Sequence, residues 1–203
     1  MNISVLHQKM SEALLSGNIL AIEILLEIGI PMNLEQLTKE TLEDLIFSAV
    51  EERNTTIIKS IIHTGIDLNI KNNFGFTLIH KASLEIETLE ILINAKVNVN
   101  MQDKFGRTAL HWAESRGNID VCKILLDAGA DVNIQEMENG QTALHSAIWK
   151  KDIKIAQMLL NAGAVVNLKD KKKRTVLKEV EKTNNPEMIK IIKMHDLKSA
   201  FVS

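Results

Sequence analysis

Residues 127–133 read DAGADVN, and related seven-residue stretches occur four more times in the chain. They are EIGIPMN at 27–33, HTGIDLN at 63–69, NAKVNVN at 94–100 and NAGAVVN at 161–167. The final asparagines of successive copies are 36, 31, 33 and 34 residues apart. Self-similarity at such a period indicates a protein built from stacked repeats rather than around one closed core.

A second motif recurs upstream of the last three of these stretches. Residues 106–115 read GRTALHWAES, and related motifs begin at Thr77 (TLIHKA) and Thr142 (TALHSA). A threonine directly before an apolar run is typical of a helix N-cap, because its hydroxyl accepts a hydrogen bond from a free backbone N–H. The motif therefore predicts the start of a short inner helix.

Residues 108–140 show how each repeat is expected to fold. Gly117 interrupts the inner helix, and apolar residues then recur at helical spacing over 119–126, which predicts a second, outer helix. Gly129 is expected to end that helix in the left-handed conformation, which glycine adopts without strain. An extended loop with a turn at Gly140 follows. Such a helix–turn–helix unit buries its apolar face only against neighbouring units.

The period and the Thr-x-x-His motif resemble the ankyrin-repeat family, whose signature is T-P-L-H-x-A. The resemblance covers nearly the whole chain, although no unit has the proline that usually follows the threonine. It implies an all-α ankyrin-repeat solenoid of about six helix–turn–helix units linked by β-hairpin-like loops, in a single domain over residues 1–203. The first and last units are expected to act as caps. The units are predicted at 8–33, 44–69, 77–100, 108–133, 142–167 and 175–197.

The first and last units depart most from the repeat pattern, as caps do, and the third unit is irregular in its own way. From His80 to Asn100 is 20 residues, against 22 from His111 to Asn133. Lys96 also stands where the neighbouring units have glycine. A left-handed backbone costs a non-glycine residue about 1–2 kcal/mol. We therefore predict a weak joint at this unit, with faster amide exchange over 84–97 than in the two units that follow.

The repeated histidines are predicted to be structural. His80, His111 and His145 occupy one position in consecutive units, and stacked helices lie about 8–10 Å apart, whereas zinc needs nitrogen ligands at about 2.0–2.1 Å. The resemblance implies that each histidine bridges the backbone and the capping threonine of neighbouring turns. Cys122 falls on the apolar face of an outer helix and is expected in the core. We therefore predict no enzymatic activity, no cofactor and no metal.

Composition is that of a globular protein with an aliphatic core. The chain has 203 residues, 45% of them hydrophobic and only 3% aromatic, with a net charge of -2. A single cysteine excludes an internal disulfide and is typical of a reducing compartment. The N-terminal stretch lacks the pattern of a secretory signal, and the most apolar segment is too short to span a membrane. A cytoplasmic monomer without membrane contact is expected.

The resemblance implies that a concave surface of hairpin tips and inner helices binds partner proteins. Aromatic and arginine side chains most often anchor protein interfaces, and several fall at the positions that vary in the family. The alternative is that the phenylalanines only pack one hairpin on the next. Trp112, which follows His111, is expected in the core. The candidate partner-binding residues are Phe74, Phe76, Leu84, Lys104, Phe105, Arg107, Arg116, Gln141, Trp149 and Lys150.

The favoured function is therefore an adaptor or scaffold that binds an unidentified protein. Alternatives are an inhibitor that occludes a partner enzyme's active site, a secreted effector of an intracellular microbe, and the regulatory part of an enzyme whose catalytic chain is elsewhere. No small-molecule substrate is expected. Residues 171–174 (KKKR) resemble a nuclear-import signal, or else form a solvated turn. Nucleic-acid binding is disfavoured because this basic patch is small.

Overall fold

The computed structural model describes residues 3–34 and 37–202, and these form twelve α-helices in six consecutive pairs. The helices fall into two compact units of three pairs each: the first unit ends at Val97 and the second unit begins at Asn98. In the first unit the helices are α1 (Ile3–Ser16), α2 (Ile19–Glu27), α3 (Lys39–Glu51), α4 (Thr55–Ile62), α5 (Leu78–Ala82) and α6 (Ile86–Asn94). In the second they are α7 (Ala109–Ser115), α8 (Ile119–Asp127), α9 (Ala143–Lys150), α10 (Ile153–Asn161), α11 (Val176–Val180) and α12 (Pro186–Val202).

These pairs confirm the predicted all-α repeat fold, in which each pair consists of an inner and an outer helix. The three threonine motifs begin α5, α7 and α9 where the sequence indicates. Helices α1 and α3 each begin five residues before the unit predicted for them. That the whole chain forms one domain remains a prediction.

The core of the first unit is aliphatic. Helix α2 packs on α3, α3 packs on α5, and α4 packs on α6. Ile22, Ile46, Ile58 and Leu89 are completely buried between these helices. Each such side chain contributes about 1.5–3 kcal/mol of transfer free energy. Because the buried surface lies between successive pairs, each pair depends on the next.

The second unit repeats this stacking with smaller residues on its inner helices. Helix α7 packs on α9 and α9 on α11, while α8 packs on α10 and α10 on α12. Ala109, Ala113 and Ala147 are fully buried on the inner helices, whereas Leu125 and Leu159 are fully buried on the outer ones. Small inner residues let neighbouring inner helices approach closely, and the larger outer residues fill the rest of the core.

Side-chain caps set where the outer helices begin. Asn18, Asn54, Asn118 and Asp152 each accept a hydrogen bond from the backbone N–H three residues later, at 3.0–3.1 Å. Such caps satisfy donors that have no partner inside the helix. In the third pair Glu85 takes this role and accepts from two backbone N–H groups.

The expected irregularity of the third pair is confirmed, and it lies in the inner helix. Helix α5 has five residues, against seven in α7 and eight in α9. The other five helix–helix turns each contain a residue with positive φ, whereas residues 83–85 contain none. Lys96 has a φ of 64°, so the left-handed backbone on which the strain argument depends is present. Faster amide exchange here remains a prediction.

Tight hairpins link the pairs and carry the candidate site. Asp103 N–H donates to the Arg107 carbonyl at 2.8 Å, and Asp170 N–H donates to the Arg174 carbonyl at 2.9 Å. Successive hairpins of the second unit also bond each other, since Met137 N–H donates to the Phe105 carbonyl at 2.7 Å. Gly106 is required at this contact because a Cβ there would lie 2.9 Å from the Met137 nitrogen.

Candidate partner-binding surface

The repeated histidines belong to the scaffold. His111 Nδ1 accepts a hydrogen bond from the Thr108 N–H at 3.2 Å, which places the imidazole proton on Nε2. His111 Nε2 in turn lies 3.4 Å from the carbonyl of Gln141, which precedes the next helix pair. His145 Nδ1 accepts from the Thr142 N–H at 3.3 Å in the same way. The predicted bridge between the capping threonine and the neighbouring helix pair is thus confirmed for His111.

Burial explains why these rings stay neutral. It lowers the pKa of both His111 and His145, and nearby carbonyl groups and acidic residues oppose the shift only in part. His80 makes the matching contact, with Nδ1 2.6 Å from the Thr77 hydroxyl. A buried neutral imidazole that caps its own helix is not poised for proton transfer to a substrate.

Cys122 is fully buried, which confirms its predicted place in the core. Burial raises the pKa of its thiol to about 12, with smaller contributions from Glu114 and Asp152. Since the thiolate is the reactive form, the side chain is inert at neutral pH. Among the residues that the structure describes, no three histidine, cysteine or acidic side chains are grouped to hold a metal ion.

Asp103 organises the hairpin that precedes α7. Its Oδ1 accepts the N–H groups of Phe105 at 2.8 Å and Arg107 at 3.0 Å. Its Oδ2 accepts the Arg107 Nε–H at 3.0 Å and the Trp112 indole N–H at 3.1 Å. Burial by itself raises the pKa of Asp103, but these hydrogen bonds outweigh it and hold the pKa below its usual value. The buried carboxylate therefore fixes two side chains of the surface.

Five side chains around Asp103 form a continuous run that we call the cationic–aromatic row, which comprises Lys104, Phe105, Arg107, Trp112 and Arg116. Lys104 Nζ lies 5.1 Å from the Phe105 ring centre. The Arg107 guanidinium carbon lies 4.7 Å from the Phe105 ring and 5.4 Å from the Trp112 ring. The Arg116 guanidinium lies 4.9 Å from Trp112. Cations at such distances are attracted to the ring faces, so the row is ordered before any partner binds.

The expectation that Trp112 belongs to the core is wrong. The side chain is half-buried, between the guanidinium groups of Arg107 and Arg116. Its indole N–H needs a polar partner, and Asp103 at the hairpin supplies one. The ring therefore lies at the base of the surface rather than between the helices.

A smaller copy of the arrangement surrounds Trp149. The Arg174 guanidinium lies 4.8 Å from the Trp149 ring and donates from Nε to Asp170 at 2.8 Å. Trp149 is 45% exposed, close to the 43% of Phe105. In the basic stretch 171–174, the three lysines are exposed, but Arg174 is half-buried and paired. The interpretation of this stretch as a wholly solvated turn is therefore wrong for Arg174, and Lys171 also donates from Nζ to the Met137 carbonyl.

Gln141 is buried in the scaffold, whereas Lys150 is exposed but paired with a buried carboxylate. Gln141 is only 9% exposed, and its side-chain nitrogen has no hydrogen-bond partner among the described residues. Its backbone carbonyl lies 3.4 Å from His111 Nε2. Lys150 Nζ lies 3.1 Å from the buried Glu114 carboxylate. Burial raises the pKa of Glu114 in spite of Lys150 and Ser146, which lower it.

Three of the candidate partner-binding residues lie in the first unit and do not belong to the row. Phe74 is 66% exposed and Leu84 is 48% exposed. Phe76 is half-buried, with Lys81 Nζ 5.1 Å from its ring centre. At this exposure the Phe74 ring is mostly accessible and is not enclosed between hairpins.

Asp103 was absent from the residues that the sequence singled out. The signal for it is the spacing of an aspartate and an arginine in DKFGR (103–107) and again in DKKKR (170–174). Both pairs form the same ion pair, with Arg107 3.0 Å and Arg174 2.7 Å from the aspartate. A hairpin that repeats Asp-x-x-x-Arg is therefore one that orients its arginine.

Comparison with known proteins decides the family. A family model described as ankyrin repeats (3 copies) matches residues 45–136 and 83–170, together more than half of the chain. The chain belongs to the ankyrin-repeat family. Ankyrin repeats are generally protein–protein interaction modules, and the all-α solenoid agrees with this assignment.

The ankyrin-repeat chain is also similar to two curated relatives. It is 30% identical over 95 residues to ankyrin repeat and SOCS box protein 3 from Homo sapiens, and equally so to the Bos taurus protein of the same name. The similarity covers 44% of this chain and 18% of each relative. The chain thus matches less than a fifth of the length of either relative. No helix in the described part of the chain is long and apolar enough to cross a membrane.

Proposed function

We propose that this ankyrin-repeat protein is a non-catalytic adaptor that binds a partner protein through the second unit. The binding surface in this proposal consists of the cationic–aromatic row together with Trp149 and Arg174. The observation that supports it most is the exposure of Phe105 and Trp149, each beside an arginine. In a chain with 3% aromatic residues, these two exposed rings of the second unit are good candidates for anchors.

Physical chemistry favours these residues as contacts. Aromatic and arginine side chains dominate the free energy of protein interfaces because they bury a large area with few rotatable bonds. Here Asp103 and Asp170 already hold Arg107 and Arg174 in place. A pre-ordered surface loses less conformational entropy when a partner binds.

The chemistry of the remaining polar residues supports a binding role over catalysis. His111 and His145 are neutral scaffold residues, and Cys122 is a protonated core thiol. An adaptor role also agrees with the name of the two relatives, which combines ankyrin repeats with a SOCS box. We further propose a cytoplasmic location, which the single buried thiol supports, and which cell fractionation with a tagged chain tests.

The adaptor proposal is tested by capture of partners with the full chain. A tagged wild-type protein is compared with a Phe105→Ala/Trp149→Ala variant by quantitative mass spectrometry of the captured proteins. A matched control changes Val165→Ala and Met194→Ala, which are exposed to a similar degree (45% and 48%) but lie outside the surface. All three proteins are first compared by thermal unfolding.

We expect a set of captured proteins to fall at least about tenfold with the surface variant, because loss of one interface anchor commonly costs more than about 1 kcal/mol. The same set is retained by the control. Equal recovery with all three proteins contradicts the proposed surface, and turnover of a substrate by the purified chain contradicts the adaptor role.

A further inference from the structure

The cationic–aromatic row carries an excess of positive charge at its exposed side. It holds three cations, Lys104, Arg107 and Arg116, above the single buried carboxylate of Asp103. Lys104 and Arg116 are exposed, whereas Arg107 is committed to the carboxylate through Nε and a terminal nitrogen. The row therefore presents one cation at each end, separated by two aromatic rings.

The geometry points to an acidic, partly apolar segment of the partner as the ligand of this row. This inference rests on the proposed function and specifies the chemistry of the partner. Carboxylates of such a segment pair with Lys104 and Arg116, and apolar side chains between them cover Phe105. The Arg116 guanidinium donates from one terminal nitrogen to the Trp112 carbonyl at 3.2 Å, and its remaining N–H groups stay available to a carboxylate.

Two carboxylates of the second unit are unavailable to these cations. The Glu136 carboxylate is used within its own hairpin, where it accepts the N–H groups of Glu138 at 2.6 Å and Asn139 at 2.7 Å. The Glu114 carboxylate is buried and pairs with Lys150. These two carboxylates are therefore committed inside the protein.

The rings themselves argue against a nucleic-acid ligand. Single-stranded nucleic acids bind such surfaces by stacking bases on aromatic faces. Here each ring already lies within about 5.5 Å of two cations: Lys104 and Arg107 at Phe105, Arg107 and Arg116 at Trp112. The row therefore favours recognition through its charged ends over base stacking.

The two tryptophans give a direct readout at the site. Trp112 and Trp149 are the only tryptophans in the sequence, so the N–H NMR spectrum contains two indole signals. A Trp149→Phe sample assigns them. The probe is a short synthetic peptide in which pairs of acidic residues alternate with single Leu or Phe residues. The matched peptide carries Asn and Gln in place of Asp and Glu.

The test titrates each peptide into the full-length wild-type chain and two double variants. Lys104→Gln/Arg116→Gln removes the end cations of the row. Lys123→Gln/Lys154→Gln changes the net charge equally at exposed lysines on α8 and α10. This control separates recognition by the row from general electrostatic attraction.

We expect the acidic peptide to shift the Trp112 indole signal saturably, with affinity that falls as salt is raised. Loss of the end cations is expected to weaken binding about tenfold, and the control variant to change it less than about twofold. The inference is overturned if the amide peptide binds as tightly, if both variants bind alike, if no signal shifts, or if an oligouridylate binds more tightly than the peptide. Partner capture by Phe105 and Trp149 can still hold in each of these cases, so the two proposals fail separately.

Discussion

Replacing Lys96 with glycine is expected to stabilise the protein. Lys96 ends the third helix pair with a φ of 64°, and Gly129 occupies the same position in the fourth pair with a φ of 86°. The backbone bonds match, since Lys96 N–H donates to Ile93 at 2.9 Å and Gly129 N–H donates to Leu126 at 3.0 Å. The residue type at this position is thus the main difference between two otherwise similar helix ends.

The size of the effect follows from two opposing contributions. Relief of the left-handed strain gains about 1–2 kcal/mol, and the greater freedom of glycine in the unfolded chain costs about 0.4–1 kcal/mol. Lys96 is exposed, so little packing is lost. We expect Lys96→Gly to raise the free energy of unfolding by about 0.5–1 kcal/mol, or about 1–4 °C in Tm for a domain of this size.

Urea denaturation of the wild type, Lys96→Gly and the reciprocal Gly129→Lys variant measures this difference. A Cβ at Gly129 meets no atom within 4 Å, so Gly129→Lys tests backbone strain without a clash and is expected to lose a similar amount. Amide exchange then locates the change, with slower exchange over 84–97 in Lys96→Gly. A Lys96→Gly protein that is no more stable than wild type, beside a destabilised Gly129→Lys protein, refutes strain as the source of the weak joint.

Three further predictions concern buried groups of the second unit. Asp103→Asn retains an acceptor for the hairpin N–H groups, as Asn72 does in the first unit at 3.0 Å, so urea denaturation is expected to show a loss of about 1–2 kcal/mol, against about 3 kcal/mol for Asp103→Ala. The lowered pKa of Asp103 means that its stabilising effect is present above the usual aspartate pKa and is lost as the pH falls through the folded-state pKa. The raised pKa of Glu114 has the opposite effect on stability, so the wild type should lose stability relative to Glu114→Gln as the pH rises above 4.5. A difference in free energy of unfolding that stays constant between pH 4 and 7 would contradict this. Cys122, with a pKa of about 12, should react with a disulfide reagent at pH 8 roughly a thousandfold more slowly than a free thiol, and rapid labelling of the folded chain would show that the core opens.

Much of the fold could be predicted because its determinants are local. Thr108 and Asn118 cap helices through hydrogen bonds to residues three positions away, and Gly129 ends one through its own backbone conformation. These signals recur with the repeat, so each copy supports the others. The shortening of the third repeat was visible in the sequence for the same reason. Only the structure shows that the missing residues fall in α5 and the turn after it.

The site was less predictable because it depends on contacts between elements. Phe105, Arg107 and Arg116 were candidates because they fall at positions that vary in the ankyrin-repeat family, but Trp112 was assigned to the core by its position after His111. Whether an indole turns inward depends on whether its N–H finds a partner, and that partner, Asp103, lies in the preceding hairpin. Gln141 was placed on the surface because it falls at a position that varies in the family, but its side chain is buried together with Gly140 and Thr142 on either side.

The sequence alone determined the repeat, the helix pairs and the place of Cys122, because short-range capping and apolar periodicity carry that information. The bridging role of the histidines came from the resemblance to the ankyrin-repeat family. Only the tertiary structure decided which polar side chains are satisfied within the scaffold and which are left at the surface. Hydrogen bonds and ring contacts between hairpins and inner helices set that division, and they arise when the units stack.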